Sequence, residues 1–259
     1  MSAAKAEKRD QLVLALGLAA TIMLAWIYLV RASAGMNAMT MEAQMHAAMG
    51  MADMRTWGLA EWFGLFVMWA VMMAAMMLPS AAPLILLVLS VYRSRADRQA
   101  RVAAITFVLG YILVWTAFSL AASAAQLALH RTALLAPDMS LGSSVLAGAL
   151  LVAVGLYQWL PLKAACLSHC RSPFGFLSQH WREGSIGGLV MGARHGIFCV
   201  GCCWLLMTVL FVVGVMNLLW VAVLAGLVLV EKLVRRGRLI GRVAGAALAG
   251  WGLYLIGSP

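Results

Sequence analysis

The sequence predicts an all-α bundle of about seven transmembrane helices, with the N-terminus in the cytoplasm, the C-terminus outside and one integral membrane domain over residues 1–259. Composition is the first reason: 64% of the residues are hydrophobic, 11% are charged, and the mean hydropathy is +0.94. A chain of this length cannot bury so much apolar surface in water, so lipid must serve as its solvent. The second reason is the length of the apolar runs. They are helix-length rather than ten-residue alternating strands, so each segment can satisfy its own backbone hydrogen bonds and a barrel is excluded. The third is the distribution of positive charge.

In chain order, apolar runs fall near 11–30, 59–78 with a continuation to about 91, 102–129, 141–162, 197–216, 218–234 and 239–257. Lys5, Lys8 and Arg9 precede the first run as they would in a signal peptide. Its core is long and ends on no clean small-x-small cleavage site, so it reads as a retained span. Pro79 and Pro83 fall inside the second segment, where each removes a backbone donor and predicts a kink. Residues 184–196 are apolar and Gly-rich; they either lengthen the fifth helix or lie along the interface before it. Gly184, Gly188, Gly192 and Gly196 repeat every four residues, which leaves one helix face bare for a close neighbour. Gly241 and Gly245 repeat the pattern more briefly in the last helix. Glu61 and Glu231 lie near span ends, and Glu231-Lys232 reads as a snorkelling pair.

Seven alternating spans place 16 of the 19 Lys and Arg residues on one side, leaving only Arg31, Arg55 and Arg131 on the other. That asymmetry gives the cytoplasmic N-terminus and a multi-pass protein of the bacterial inner membrane. The net charge of +10 therefore reports membrane topology and not nucleic-acid binding.

The five cysteines form two clusters, Cys166-Leu-Ser-His169-Cys170 and Cys199-Val-Gly-Cys202-Cys203. Both follow i, i+3, i+4, which on a helix gathers three side chains toward one face. Single cysteines pack well in membrane helices. Two matched triplets with a histidine in one of them point instead to metal or redox chemistry. Both clusters are expected near the cytoplasmic side, where a reducing environment disfavours disulfide staples. Arg171, Arg194 and His195 stand close in sequence and would favour thiolates.

Methionine adds a second signal. Seven of the 18 lie in the predicted outer loop between Met36 and Met54, with His46 among them, and Met68, Met72, Met73, Met76 and Met77 run down the second helix before Pro79. Thioethers are soft neutral ligands that suit Cu(I) and reject Zn and Mg, and they need no deprotonation. Core packing explains the helical group equally well. With the cysteines, the two groups outline a path from outer thioethers through helical thioethers to inner thiolates.

Five blocks carry a resemblance: Met72-Met73-Ala-Ala-Met76-Met77-Leu-Pro79; Pro161-Leu-Lys163-Ala-Ala-Cys166; His169-Cys170-Arg171-Ser-Pro173; Arg194-His195-Gly-Ile-Phe-Cys199-Val-Gly201-Cys202-Cys203-Trp204; and Gly214-Val-Met216-Asn217. They resemble the signature of a bacterial family of predicted metal-binding integral membrane proteins of unknown function. The resemblance implies metal binding and specifies no metal, reaction or direction of transport.

The resulting expectation is a copper-binding membrane protein acting in copper transport or in delivery to a membrane cuproprotein, more a carrier than an enzyme. Its metal residues are Cys166, His169, Cys170, Cys199, Cys202, Cys203, Met72, Met73, Met76 and Met77, with His195 as a group supporting a ligand. Lipid and another membrane protein or metallochaperone are the expected partners. Two alternatives stand beside it: a membrane thiol-disulfide oxidoreductase using these cysteines, and an accessory subunit of a membrane complex stabilised by zinc.

Overall fold

The computed structural model describes residues 3–48, 58–94, 100–132, 134–136 and 140–258. The described chain is built of helices: α1 (Ala3–Ala48), α2 (Leu59–Ser94), α3 (Ala100–Arg131), α4 (Ser144–Tyr157), α5 (Pro161–Arg171), α6 (Pro173–His180), α7 (Gly184–Thr208), α8 (Leu210–Val213), α9 (Leu218–Leu233) and α10 (Gly237–Gly257). Among the described residues, five stretches are long and apolar enough to cross a membrane: Lys8–Gly35 within α1, α2, α3, Gly184–Val213 through α7 and α8, and α10. The predicted fourth span differs. It is α4 followed by α5 at a 61° bend, because the chain breaks its helix before Pro161. The predicted sixth span is the 16-residue α9, about 24 Å long and so shorter than a hydrocarbon core of about 30 Å.

Two further expectations meet the structure here. Residues 184–196 lengthen the fifth apolar helix, since α7 runs unbroken from Gly184. The predicted outer loop from Met36 is instead helical as far as Ala48, continuing α1. Ala, Met, Glu and Gln dominate that stretch and are strong helix formers, so nothing ends the helix where the apolar run ends. Met49, Met51 and Met54 lie outside the described residues.

Bare glycine faces set the register of the bundle. A Cβ at Gly188, Gly192 or Gly196 would meet the Ala103 carbonyl, the Phe107 carbonyl or Val114 beside the Tyr111 carbonyl, respectively. Partner numbers rise together, so α3 and α7 run parallel with their backbones in contact. Gly148 meets Gly252 and Gly155 meets Gly245, numbers that move in opposite senses, so α4 and α10 run antiparallel. Gly184, the first of the predicted stripe, has a different task. Its φ of +73° is a left-handed value that starts α7, and nothing lies within 4 Å of its would-be Cβ.

Two groups of charges inside the bundle form ion pairs. Asp10 on α1 is 3% exposed and meets Arg93 of α2 and Arg101 of α3. Lys163 on α5 bonds both carboxylate oxygens of Glu231 on α9, at 2.8 and 2.7 Å, and also bonds Gln158. The snorkelling expectation for Glu231 and Lys232 is therefore corrected: they are 1% and 5% exposed and bond different partners. Consecutive helical residues point about 100° apart, so neither can bend to the other while both face protein. Pro79 and Pro83 stay within a continuous α2, and the Met77 carbonyl there accepts from the Ser80 hydroxyl at 2.8 Å.

Two measurements follow from this packing. Gly192→Ala forces a methyl onto the Phe107 carbonyl and lowers stability by about 1–3 kcal/mol, whereas Gly250→Ala, with open space around it, leaves thermal unfolding in detergent unchanged or slightly raised. Lys163→Met strands a buried carboxylate and costs about 3–5 kcal/mol, and Lys163→Met with Glu231→Leu recovers most of the loss in the same assay.

Candidate thiol and thioether site

Cys199 is the hub of a buried polar cluster. It sits fifteen residues after Gly184, about 22 Å along α7, and Met77 is likewise near the middle of α2. The cluster sits midway along α2 and α7, where residues 184–196 extend α7 before the triplet, and at the C-terminal ends of α5 and α9, which contribute Cys170 and Lys232.

Four elements converge on the Cys199 sulfur. From α9, the Lys232 ammonium donates to it at 2.9 Å and to the Ser80 hydroxyl at 3.1 Å. From α3, the Tyr111 hydroxyl lies 3.0 Å away and also donates to the Met77 carbonyl at 3.3 Å. From α5, the Cys170 thiol lies against the Cys199 and Cys202 thiols. From α7 itself, Cys202 and Cys203 stand beside it, their thiols donating to the Cys199 carbonyl at 3.1 and 2.9 Å. On the far side, the Cys203 Sγ reaches the Met77 Sδ of α2 at 3.9 Å. Cys199, Cys202, Cys203 and Met77 are each at most 1% exposed, and Cys170 is 9%.

The other expected residues separate into two sets. Cys166 flanks the cluster, half-buried, with its sulfur seated over the bare α-carbon of Gly201. Met72, Met73 and Met76 are buried in the core with Met77. His169 does not join Cys170: its ring stacks on Phe198 at 4.1 Å, since neighbours on a helix diverge by about 100°. His195 is 2% exposed, stacks on Tyr111 at 5.7 Å, and its Nδ1 has no hydrogen-bond partner among the described residues. It thus stands behind the tyrosine that contacts Cys199.

Three residues of this cluster carried no signal as site residues in the sequence reading: Tyr111, Ser80 and Lys232. Lys232 could have been found, because an ionisable residue within an apolar helix needs a buried partner. Tyr111 and Ser80 are single residues in long apolar helices, and only the three-dimensional register brings them here.

What the arrangement offers chemically is a set of soft donors with a counter-charge. All five cysteines are free thiols. Lys232 supplies the positive charge that a buried thiolate requires, and thiolate is the form of sulfur that binds metal. Among the described residues no group of three or more His, Cys, Asp or Glu is already arranged to hold a metal ion. The reason is local: Cys202 and Cys203 point their thiols back to the helix carbonyl. A χ1 rotation, and no backbone movement, would release either sulfur.

No curated protein and no solved structure matches the chain. A family model does: that of PpoB2, described as copper chaperone, matches residues 66–255, a stretch that includes every cysteine and α2 from Phe66 onward. The match covers well over half the chain, and the protein belongs to this copper chaperone family.

Proposed function

We propose that the protein is a single-domain, multi-pass protein of the bacterial inner membrane, with a cytoplasmic N-terminus and an external C-terminus, that holds Cu(I) and passes it to a membrane cuproprotein. The observation that carries this reading is the convergence of sulfurs from three helices, Cys170 of α5, Cys199, Cys202 and Cys203 of α7, and Met77 of α2, around a buried ammonium. Copper(I) is content with two or three soft ligands, so a cluster of thiols with one thioether suits it. Two thiolates on Cu(I) leave one negative charge, and the buried Lys232 ammonium offsets it. Ser80 and Tyr111 hold Lys232 and Cys199 in place.

Release to an acceptor needs a site that is strong and yet yields. The neutral Met77 thioether gives a weaker bond than a thiolate, so an incoming cysteine or methionine of a partner protein can displace it first. Met72, Met73 and Met76, within about one and a half turns of Met77, extend the same soft surface along α2. The residues from Met36 to Met45 lie on the helical extension of α1, where they would raise the local concentration of copper near one end of the bundle.

Replacing Cys199, Cys202 and Cys203 together by Ser abolishes retained copper, measured by elemental analysis of protein purified without chelator. Replacing Met36, Met39, Met41 and Met45 by Leu leaves retention nearly intact and slows loading. A serine triple variant with full copper content would refute the cysteine assignment. Tightly held zinc in the native protein would favour the accessory-subunit reading, and a metal-free protein with a titratable disulfide would favour the oxidoreductase.

A further inference from the structure

Outside the thiol cluster, two histidines meet at the junction of α5, α6 and α7. His169 is in the last turn of α5, and His180 is the last residue of α6. Their ring centres are 6.0 Å apart at an interplanar angle of 70°. Each ring is half-buried, so each is reachable from the surface.

Both rings are held in the same way. The Nδ1 of His169 lies 3.0 Å from the Ala165 carbonyl, and the Nδ1 of His180 lies 3.1 Å from the Phe176 carbonyl. A carbonyl can only accept, so Nδ1 carries the hydrogen in both rings. In a neutral imidazole that leaves the lone pair on Nε2. Neither Nε2 has a hydrogen-bond partner among the described residues. A backbone carbonyl on the remote nitrogen is the usual way in which a metal-binding histidine is oriented and its tautomer fixed.

The spacing also fits one ion. With a metal–nitrogen bond of about 2.0 Å, each ring centre lies roughly 3 Å from the ion, so two imidazoles on one ion have centres about 6 Å apart or less. Phe198 stacks under His169 at 4.1 Å and lies 5.9 Å from His180, and Phe176 stacks on His180 at 4.9 Å. These rings restrain both imidazoles. Phe176 also touches His195 at 5.2 Å, and His195 in turn stacks on Tyr111, the residue bonded to Cys199. Along this route Phe176, His195 and Tyr111 stand between the pair and Cys199, while along α5 His169 directly precedes Cys170.

We propose that His169 and His180 form a second copper site, a two-nitrogen docking point where the ion stops between an external donor or acceptor and the thiol cluster. It rests on the copper reading above and adds a place of exchange. Imidazole binds Cu(I) and Cu(II) through borderline nitrogen, less tightly than thiolate. Ions therefore occupy the pair only after the thiols are filled, or while in transit.

The test uses the full chain without a histidine tag, in detergent, loaded with Cu(I) as its acetonitrile complex and followed by X-ray absorption at the copper edge. In the native protein the first equivalent shows sulfur scattering, and imidazole scattering appears with the second. His169→Phe and His180→Phe each keep the ring contacts with Phe198 and Phe176. Each loses the imidazole signal of the second equivalent and retains the sulfur signal of the first, which also reports an intact fold. Imidazole scattering at native strength in both variants overturns the proposal. A native protein whose first equivalent shows no sulfur overturns the thiol reading instead, so the two failures are distinct.

Discussion

The backbone contact between α3 and α7 is the constraint on which the rest depends. Three glycines of α7, spaced by one turn, let the carbonyls of α3 lie where side chains would otherwise stand. That contact fixes how far one helix can slide along the other. A slip of one turn would shift α7 by about 5.4 Å and take Cys199 out of reach of the Tyr111 hydroxyl. The chemistry of the cluster is thus built on a packing feature that has no chemistry of its own.

Charge balance is the second constraint, and it acts through α9. Glu231 and Lys232 are adjacent, yet about 100° apart around that helix, and they meet different partners. Glu231 closes a neutral pair with Lys163 of α5, and Arg171 of α5 donates to the Val234 and Arg235 carbonyls just beyond α9. Together these fix α5, and with it Cys170, against α9. Lys232 then faces the sulfurs, and no carboxylate among the described residues meets it. In so apolar a setting an ammonium without a negative partner is costly. The acceptor left to offset it is sulfur, and this couples Lys232 to the state of Cys199.

Much of this could be read from the residues, and the remainder has identifiable reasons. The long apolar helices, the glycine face of residues 188–196 and the two cysteine triplets all follow from local periodicity, which one sequence displays in full. The Met36–Ala48 extension lies beyond the apolar run, so hydropathy ends the helix at a point where propensity continues it. The break before Pro161 was passed over because hydropathy alone does not register a bend. His169 was grouped with Cys170 by spacing, yet adjacent residues diverge, and the ring turns to Phe198 and His180 instead. Tyr111, Ser80 and Lys232 are contributed by three different helices, so no periodicity within any one of them points to the others.

The depth of the cluster bears on how such a site can exchange its cargo. A thiol at mid-height of α7 is enclosed on all sides, with Cys199 and Cys203 both 0% exposed. Burial protects thiolates from oxidants and from competing hydrated ions, but it also lengthens the path to any partner. An ion stripped of water can move through such an interior only in steps between ligands, each exchange making one bond as another breaks. On the proposed reading, the methionines along α2 and the imidazoles at the α5–α6 junction are the weaker ligands around the cluster. Strength would be concentrated at the centre, where thiolates formed on metal binding and the Lys232 ammonium offset one another. Neutral donors surround it, and because a neutral ligand holds a cation less tightly than a thiolate, exchange in this scheme would be faster outside the centre than within it.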